Sequence, residues 1–249
     1  RRTRERAERE QRILAVGRRL LLERGFAGLT MDRVAEKIEY SKGIVYKHFT
    51  SKEDLICGMT AEFLAEILGF FRRAAVFHGS TRERLTAIVV AAQLHFKLAP
   101  DQFEVQQIST MDATTARASA PRKAEVERLT AQLLEFFRAL ADEAVRDGDL
   151  TLSSATARDT LVHGAWCMLA GAETLGRHER LRRIFKHTDL DAALRRNLQA
   201  FLDGHGWKPL SRRHDYEDTA QRVLREVFPQ ESLRAAETDP DARQARHAP

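Results

Sequence analysis

TMDRVAEKIEYSKGIVYKHFTSK, residues Thr30 to Lys52, decides the reading of this chain. It predicts two short helices joined by a tight turn, followed at once by the start of a third. Thr30 is a good N-cap for a helix over Met31 to Ile38, and Asp32 falls in its positive first turn. Val34, Ala35 and Ile38 recur at helical spacing and form its apolar edge. Ser41 caps a second helix, Lys42 to Phe49. Ser51, with Asp54 three residues on, forms a capping box that opens the third.

The second helix has two unlike faces. Val45 and Phe49, four apart, suit a small core shared with Val34 and Ile38, whereas Ile44, Lys47 and His48 point the other way with Lys42 and Tyr46 on the flanks. A short helix, cationic and aromatic outside and backed by a hydrophobic hairpin, fits the recognition helix of a helix-turn-helix. The alternative is an ordinary αα-hairpin with a solvated basic face. On the DNA reading, Lys42, Lys47 and Lys52 are candidates for phosphate contact, which fixes register rather than sequence. Gly43 lets the backbone approach the groove, His48 and Lys47 reach for base edges, and Ile44 can touch a thymine methyl. Tyr46 offers a hydroxyl to phosphate. Thr30, Arg33 and Ser41 complete the candidate DNA-binding set.

Residues Ile13 to Leu55 resemble the DNA-binding region of the TetR/AcrR transcriptional regulators. The matching pieces are ILAVGRRLLLERGF, TMDRVAEKI, YSKGIVYKHF and SKEDL, in the family's order and spacing. The resemblance implies an all-α fold, with an N-terminal three-helix helix-turn-helix DNA-binding domain and a helical-bundle ligand-binding and dimerisation domain. It also implies phosphate contact by Tyr46, and a homodimer made by the last two core helices, near 153–176 and 190–202, that binds a palindromic double-stranded DNA operator. Two positions depart from the family's pattern. Glu39 stands where a turn glycine is usual, at a cost of roughly 1 kcal/mol if the backbone there is left-handed. Ile44 replaces a small polar residue and bears on base preference.

Composition agrees with that organisation. The chain has 249 residues with only six prolines and thirteen glycines, and Ala, Leu, Arg and Glu dominate, which favours helix. Its length suits one large helical unit or two domains sharing a long helix. The formal charge is +5 and uneven: residues 1–52 carry fourteen Arg and Lys against seven Asp and Glu, a net +7, and the rest carries −2. Positive charge gathered on the hairpin segment is the footprint expected for a phosphate backbone. Cys57 and Cys167 form no CxxC and read as reduced core residues. No apolar run approaches the ~18–20 residues of a membrane span, and a signal-peptide core is absent from the first residues, so a soluble, cytoplasmic protein is expected.

Four segments follow: 1–52, arm and helix-turn-helix; 53–206, ligand-binding and dimerisation; 207–230, a helical extension; and 231–249, a polar disordered tail. Residues 1–9 form a basic arm, either a solvated helix start or tail, or a minor-groove contact. A first helix is predicted over Glu10 to Arg24, closed by Gly25 as C′ residue. The third hairpin helix continues from Ser51 towards Phe77 on a long apolar stripe, and would lever the DNA module against the rest. Further helices are expected over Thr81 to Leu98, ended before Pro100, and Asp101 to Met111, with 112–121 as loop. Arg122 to Arg146 follows with Val126, Leu129, Leu133, Phe137, Leu140 and Val145 inward. Ser153 caps a helix to about Gly176, Leu190 to Leu202 closes the core, and Tyr216 to Phe228 belongs to an extension that could lid it.

By the same resemblance an inducer cavity lies among the helices of residues 81–176. His95, Phe96, Phe103, Gln107, Phe137, His163, Trp166 and Cys167 are the candidate lining residues, and an ordinary core role is the alternative for each. The absence of clustered charge suits an uncharged or amphipathic ligand. His163 and Cys167 share a helix face but lack further ligands, so no metal and no cofactor are expected. The sequence therefore reads as a ligand-responsive regulator, a repressor released from its operator by a small-molecule inducer. A ligand-independent DNA-binding or nucleoid-associated protein is the alternative. Nucleophile–base spacings, paired carboxylates and phosphate-binding glycine loops are all missing, which speaks against an enzyme.

Overall fold

The computed structural model describes residues 2–110, 112–176, 178–185 and 189–238. No strand occurs among them. The helices run α1 Arg2–Gly28, α2 Met31–Lys37, α3 Lys42–His48, α4 Lys52–Ala75, α5 Thr81–Leu98, α6 Pro100–Ser109 and α7 Asp112–Thr115. They continue as α8 Ala120–Arg146, α9 Ala155–Gly176, α10 Glu179–Phe185, α11 Leu190–Gly204, α12 Tyr216–Glu226 and α13 Pro229–Thr238. Two compact units result: the chain to Glu66 with Ala99–Ala131, and Ile67–Leu98 with the chain from Gln132 onward. The first unit thus does not stop at residue 52, because Leu55, Ile56 and Met59 of α4 and Val105 of α6 join its core.

In the first unit, Ile13, Leu14, Leu20 and Leu21 of α1 meet Val34 and Ala35 of α2 and Val45 and Phe49 of α3. Each fully buried aliphatic or aromatic side chain stabilises this core by about 1.5–3 kcal/mol. The basic arm is helical, since α1 begins at Arg2 rather than Glu10, and Arg4 pairs with Glu8 one turn on. At Gly25 the backbone leaves the helix, with φ 65° and ψ −180°, and kinks α1 before its last turn, a conformation open to glycine. Gly58 lets α4 sit against the hairpin: a Cβ there would lie 2.6 Å from Phe49 Cε1 and 3.0 Å from Leu14 Cδ2. The start of α4 is capped as expected. Asp54 N–H donates to Ser51 Oγ at 3.1 Å, and the Asp54 carboxylate reaches back to Thr50 N–H at 3.1 Å.

In the second unit α5 is buried almost all round, the mark of a central helix. α9, α11, α12 and α13 pack on it. The extension beyond residue 206 is a wall of this unit. Trp207 is buried and donates its indole N–H to Thr81 Oγ1 at 3.1 Å. Arg82, fully buried, takes Gln199 Oε1 at 2.9 Å, Gln199 O at 2.8 Å, Pro209 O at 3.0 Å and Asp203 Oδ1 at 2.7 Å. Its guanidinium also lies 4.7 Å from the Tyr216 ring centroid. α13 is anchored by Phe228, stacked on Phe70 at 5.3 Å, and by Arg73, which donates to Val227 O at 2.7 Å.

Several expectations are corrected here. Val145 is exposed, whereas Ala141 and Ala144 face inward, because the buried stripe of α8 advances from Phe137 through Ala141 to Ala144 and leaves Val145 one position past it. Ser154, not Ser153, caps α9, accepting from Ala157 N–H at 3.1 Å. A short helix, α7, occupies part of the expected 112–121 loop. Residues 231–238 are helical rather than disordered, since α13 carries Ala235 onto a buried face. Residues 239–249 of the expected tail lie outside the described residues.

Candidate nucleic-acid interface

The turn between α2 and α3 is built by a left-handed residue. Glu39 has φ 56°. Its N–H donates to Glu36 O at 3.4 Å, and the N–H of Tyr40 donates to Ala35 O at 3.3 Å, which is the hydrogen-bond pattern of a Schellman motif. Tyr40 closes the motif by packing against the hydrophobic core. A non-glycine residue thus adopts the backbone that the chain reversal demands, and the strain expected of Glu39 is present.

Thr30 caps α2, its Oγ1 accepting from Arg33 N–H at 3.3 Å. The Arg33 guanidinium donates to Gly28 O at 2.7 Å and steadies the entry to the hairpin. Ser41 occupies the N-cap position of α3, but its hydroxyl makes no capping bond. The first turn of α3 is therefore without a side-chain cap.

Val45 and Phe49 are fully buried, and Ser41, Lys42, Gly43, Tyr46 and Lys47 are exposed. Ile44 is half-buried beside them. The hydrophobic pair thus turns a cationic and aromatic strip of α3 outward. Lys42 Nζ is 2.8 Å from Asp32 Oδ2, and this exposed hydrogen-bonded pair raises the lysine's pKa.

Two of the expected contacts fall away. The His48 side chain is only 7% exposed, with Nδ1 3.5 Å from Glu10 Oε2. That is close approach to a carboxylate but too long for a good hydrogen bond, and it takes the imidazole away from base edges. His48 lies three residues after Val45 and adjoins Phe49, so it rotates towards α1. Lys52 is drawn inward as well. Its Nζ donates to Phe26 O at 3.1 Å and sits 3.8 Å over the Phe26 ring, closing the C-terminal end of α1.

Residues 13–57 match the family described as "Bacterial regulatory proteins, tetR family". That match covers the segment from α1 to the start of α4 and leaves the rest of the chain outside it. Residues 13–57 are thus similar to the helix-turn-helix region of bacterial transcriptional regulators. Among curated relatives, the HTH-type transcriptional activator FasR of Mycolicibacterium smegmatis is 29% identical over 86 residues, 34% of this chain. That match spans only 39% of FasR's own length. The HTH-type transcriptional repressor KstR2 of Rhodococcus jostii is 24% identical over 179 residues, 67% of this chain and 83% of that protein. Among solved structures, the transcriptional regulator FadR of Bacillus subtilis, in complex with stearoyl-CoA, superposes with a TM-score of 0.62 at 12% identity. It covers 78% of this chain and 98% of its own, and at that identity the likeness is one of fold.

The eight expected effector-lining residues are divided between the two units. Phe103 and Gln107 belong to the first unit, where Phe103 lies 6.3 Å from Phe63. In the second unit, Phe137 meets Trp166 at 6.2 Å, and His95, buried, meets Phe70 at 5.1 Å and Phe96 at 6.4 Å. His163 and Cys167 are exposed on α9, with Sγ 3.4 Å from Nε2, so neither is an interior residue and Cys167 is not core. Cys57 is buried. No group of three or more metal-ligating side chains occurs among the described residues, and no described helix is long and apolar enough to cross a membrane.

The second unit also holds a half-open cleft of about 210 Å³ that none of the eight lines. Leu94 and Leu224 face it, with Gln93, Asp191 and Arg195 on a largely apolar lining. There Arg195 bonds Gln93 Oε1 at 3.0 Å and Glu217 at 2.6 Å, and Gln93 Nε2 donates to Asp191 O at 3.1 Å. Helical periodicity alone offered no route to this cleft, because α12 and α13 build half of it from the extension.

Proposed function

We propose that this regulator is a ligand-responsive repressor that binds a palindromic DNA operator as a homodimer and leaves it when a small molecule binds. The observation that carries the reading is the outward display of Tyr46 and Lys47 over fully buried Val45 and Phe49. Gly43 beside them has open space around its Cα, so the helix backbone can come close to a groove. Lys42, Tyr46 and Lys47 set register on phosphate, and Ile44 with Lys47 face the bases.

Dimerisation is assigned to the free faces of α9 and α11. Cys167 and Leu175 are exposed on α9, and Ala193, Asn197, Ala200 and Gly204 follow at helical spacing on the outer side of α11. Small residues of this kind let two helix pairs approach closely, and a two-fold protein matches a two-fold site. An apolar or amphipathic effector is assigned to the second unit. Phe137, Trp166, His95 and Phe96 supply aromatic surface there without a concentration of charge, and FadR, of the same fold, was solved with stearoyl-CoA.

The test is selection of bound duplexes from a random pool with the full chain, followed by salt titration on the enriched sequence. A palindromic consensus and a steep salt dependence are expected, with Lys47→Ala lowering the log–log slope by about one ion. Sedimentation at micromolar concentration should give a dimer, and stearoyl-CoA and shorter acyl-CoAs serve as probes in thermal-shift and DNA-release assays. Failure to enrich any duplex would remove the operator reading. A monomer would remove the interface.

A further inference from the structure

The exit of the recognition helix is held by a segment about seventy residues later in the chain. Arg122, in the first turn of α8, donates from Nη2 to Glu10 Oε1 at 2.8 Å and to the carbonyl oxygen of His48 at 3.2 Å. That carbonyl ends the last turn of α3, beyond the Val45 oxygen that the Phe49 N–H takes, and lies at the negative end of the helix dipole. The guanidinium also lies 4.6 Å from the Phe49 ring centroid. Glu10 completes the ring, its other oxygen 3.5 Å from His48 Nδ1. A second tie runs alongside the first. Ser119 N–H donates to Asp54 Oδ1 at 2.6 Å, while Asp54 Oδ2 accepts from Thr50 N–H. Residues 119–122 thus grip residues 48–50 at two points, one ionic and one purely hydrogen-bonded.

We infer that Arg122 is a positioning residue for DNA recognition: through Glu10 and the His48 carbonyl it sets the pitch at which α3 presents Tyr46 and Lys47, and a shift of the first turn of α8 changes operator affinity without any change at the DNA face. The inference rests on the DNA-binding reading of α3. The physical ground is that α3 has only seven residues and one fully buried core side chain of its own, Val45, so its angle is set by what holds its ends. At its start Ser41 makes no capping bond and the side-chain tie is the exposed Lys42–Asp32 pair, which solvent screens, whereas the grip at its end is partly buried.

The experiment compares the full chain with Arg122→Ala, Arg122→Met, Glu10→Ala and Lys47→Ala on the duplex selected by the parent protein. Affinity is measured across a salt series, and far-UV circular dichroism and urea midpoints check the fold. Both Arg122 variants are expected to weaken binding by roughly 3- to 30-fold, the range for residues that act at a distance. Their salt slope should stay unchanged, since no phosphate contact is lost. Arg122→Met keeps an apolar stem over Phe49 and remains informative if Arg122→Ala fails to fold. Glu10→Ala combined with Arg122→Met should cost little more than either alone, as members of one linked unit do. Folded Arg122→Met with affinity within twofold of the parent overturns the inference, as does a loss accompanied by a slope reduced by about one, which means direct phosphate contact. Lys47→Ala separates the two readings: if it too has no effect, the DNA face is wrong and the inference goes with it. If Lys47→Ala behaves as expected and Arg122→Met does not, only the clamp is removed.

Discussion

Lys42 reaches back across the turn to Asp32, Nζ to Oδ2 2.8 Å, with both side chains more than half exposed. The first cation of α3 is thereby paired with a carboxylate of α2. Asp32→Ala should release it, tightening duplex binding at low salt and steepening the log–log salt dependence by about one ion. An unchanged slope would mean that Lys42 stays away from phosphate.

Glu39 holds a left-handed backbone that glycine adopts without Cβ strain. Glu39→Gly should raise the urea midpoint, by about 0.5–1 kcal/mol once the unfolded chain's extra freedom is set against the relieved strain. A lower midpoint would show that the Glu39 side chain contributes more than its backbone costs.

Gly58 and Gly69 lie on the same helix and should respond oppositely to alanine. At Gly58 a methyl group meets the buried Phe49 ring, so Gly58→Ala should cost about 1–3 kcal/mol and disturb α3 directly. At Gly69 nothing lies within 4 Å, so Gly69→Ala should be neutral or stabilise by up to about 1 kcal/mol. Urea unfolding of both variants checks the contrast.

Acid should loosen both units. Burial works to raise the Asp54 pKa, but hydrogen bonds from Thr50 and Ser119 outweigh it and the carboxyl titrates below its ordinary value. Asp203 behaves alike, burial opposed by hydrogen bonds from Ser211 and by Arg82. Groups depressed in this way contribute stability that is present above about pH 4, the unfolded value, and is lost as pH falls through the folded one. Asp54→Asn should therefore lower stability at pH 7 and flatten the loss below pH 4, as read from urea midpoints against pH.

Arg82→Met removes one partner of a buried network and leaves Asp203, the Gln199 side-chain oxygen and the backbone carbonyls of Gln199, Trp207 and Pro209 short of a donor. A cost of about 3–5 kcal/mol is expected. Because Trp207 and Pro209 hang on the same guanidinium, proteolysis near residue 207 should accelerate in the variant. Unchanged protease sensitivity would show that α12 and α13 hold the extension on their own.

Much of the fold was legible from local pattern. α5 spans Thr81–Leu98 and α3 spans Lys42–His48, as periodicity, Pro100 and the capping signals predict. The burial of Val45 and Phe49 and the helix break at Gly25 also follow from near neighbours in sequence. Of the side chains that departed from expectation, His48 and Lys52 answer to partners far along the chain and Cys167 to the register of its own helix. His48 turns to Glu10, Lys52 to Phe26, and Cys167 is left outside because Leu161, Val162, Ala165 and Leu169 supply the buried side of α9.

From residue order alone came the helices, their ends, and the basic hairpin with its hydrophobic backing, because these depend on φ/ψ preference and a period of 3.6 residues. Tertiary packing alone decided which cations remain free, that Arg82 is buried beneath the extension, and that Arg122 grips the end of α3. Ion pairs and carbonyl contacts of that kind join residues from ten to well over a hundred positions apart, and no local periodicity encodes such a meeting.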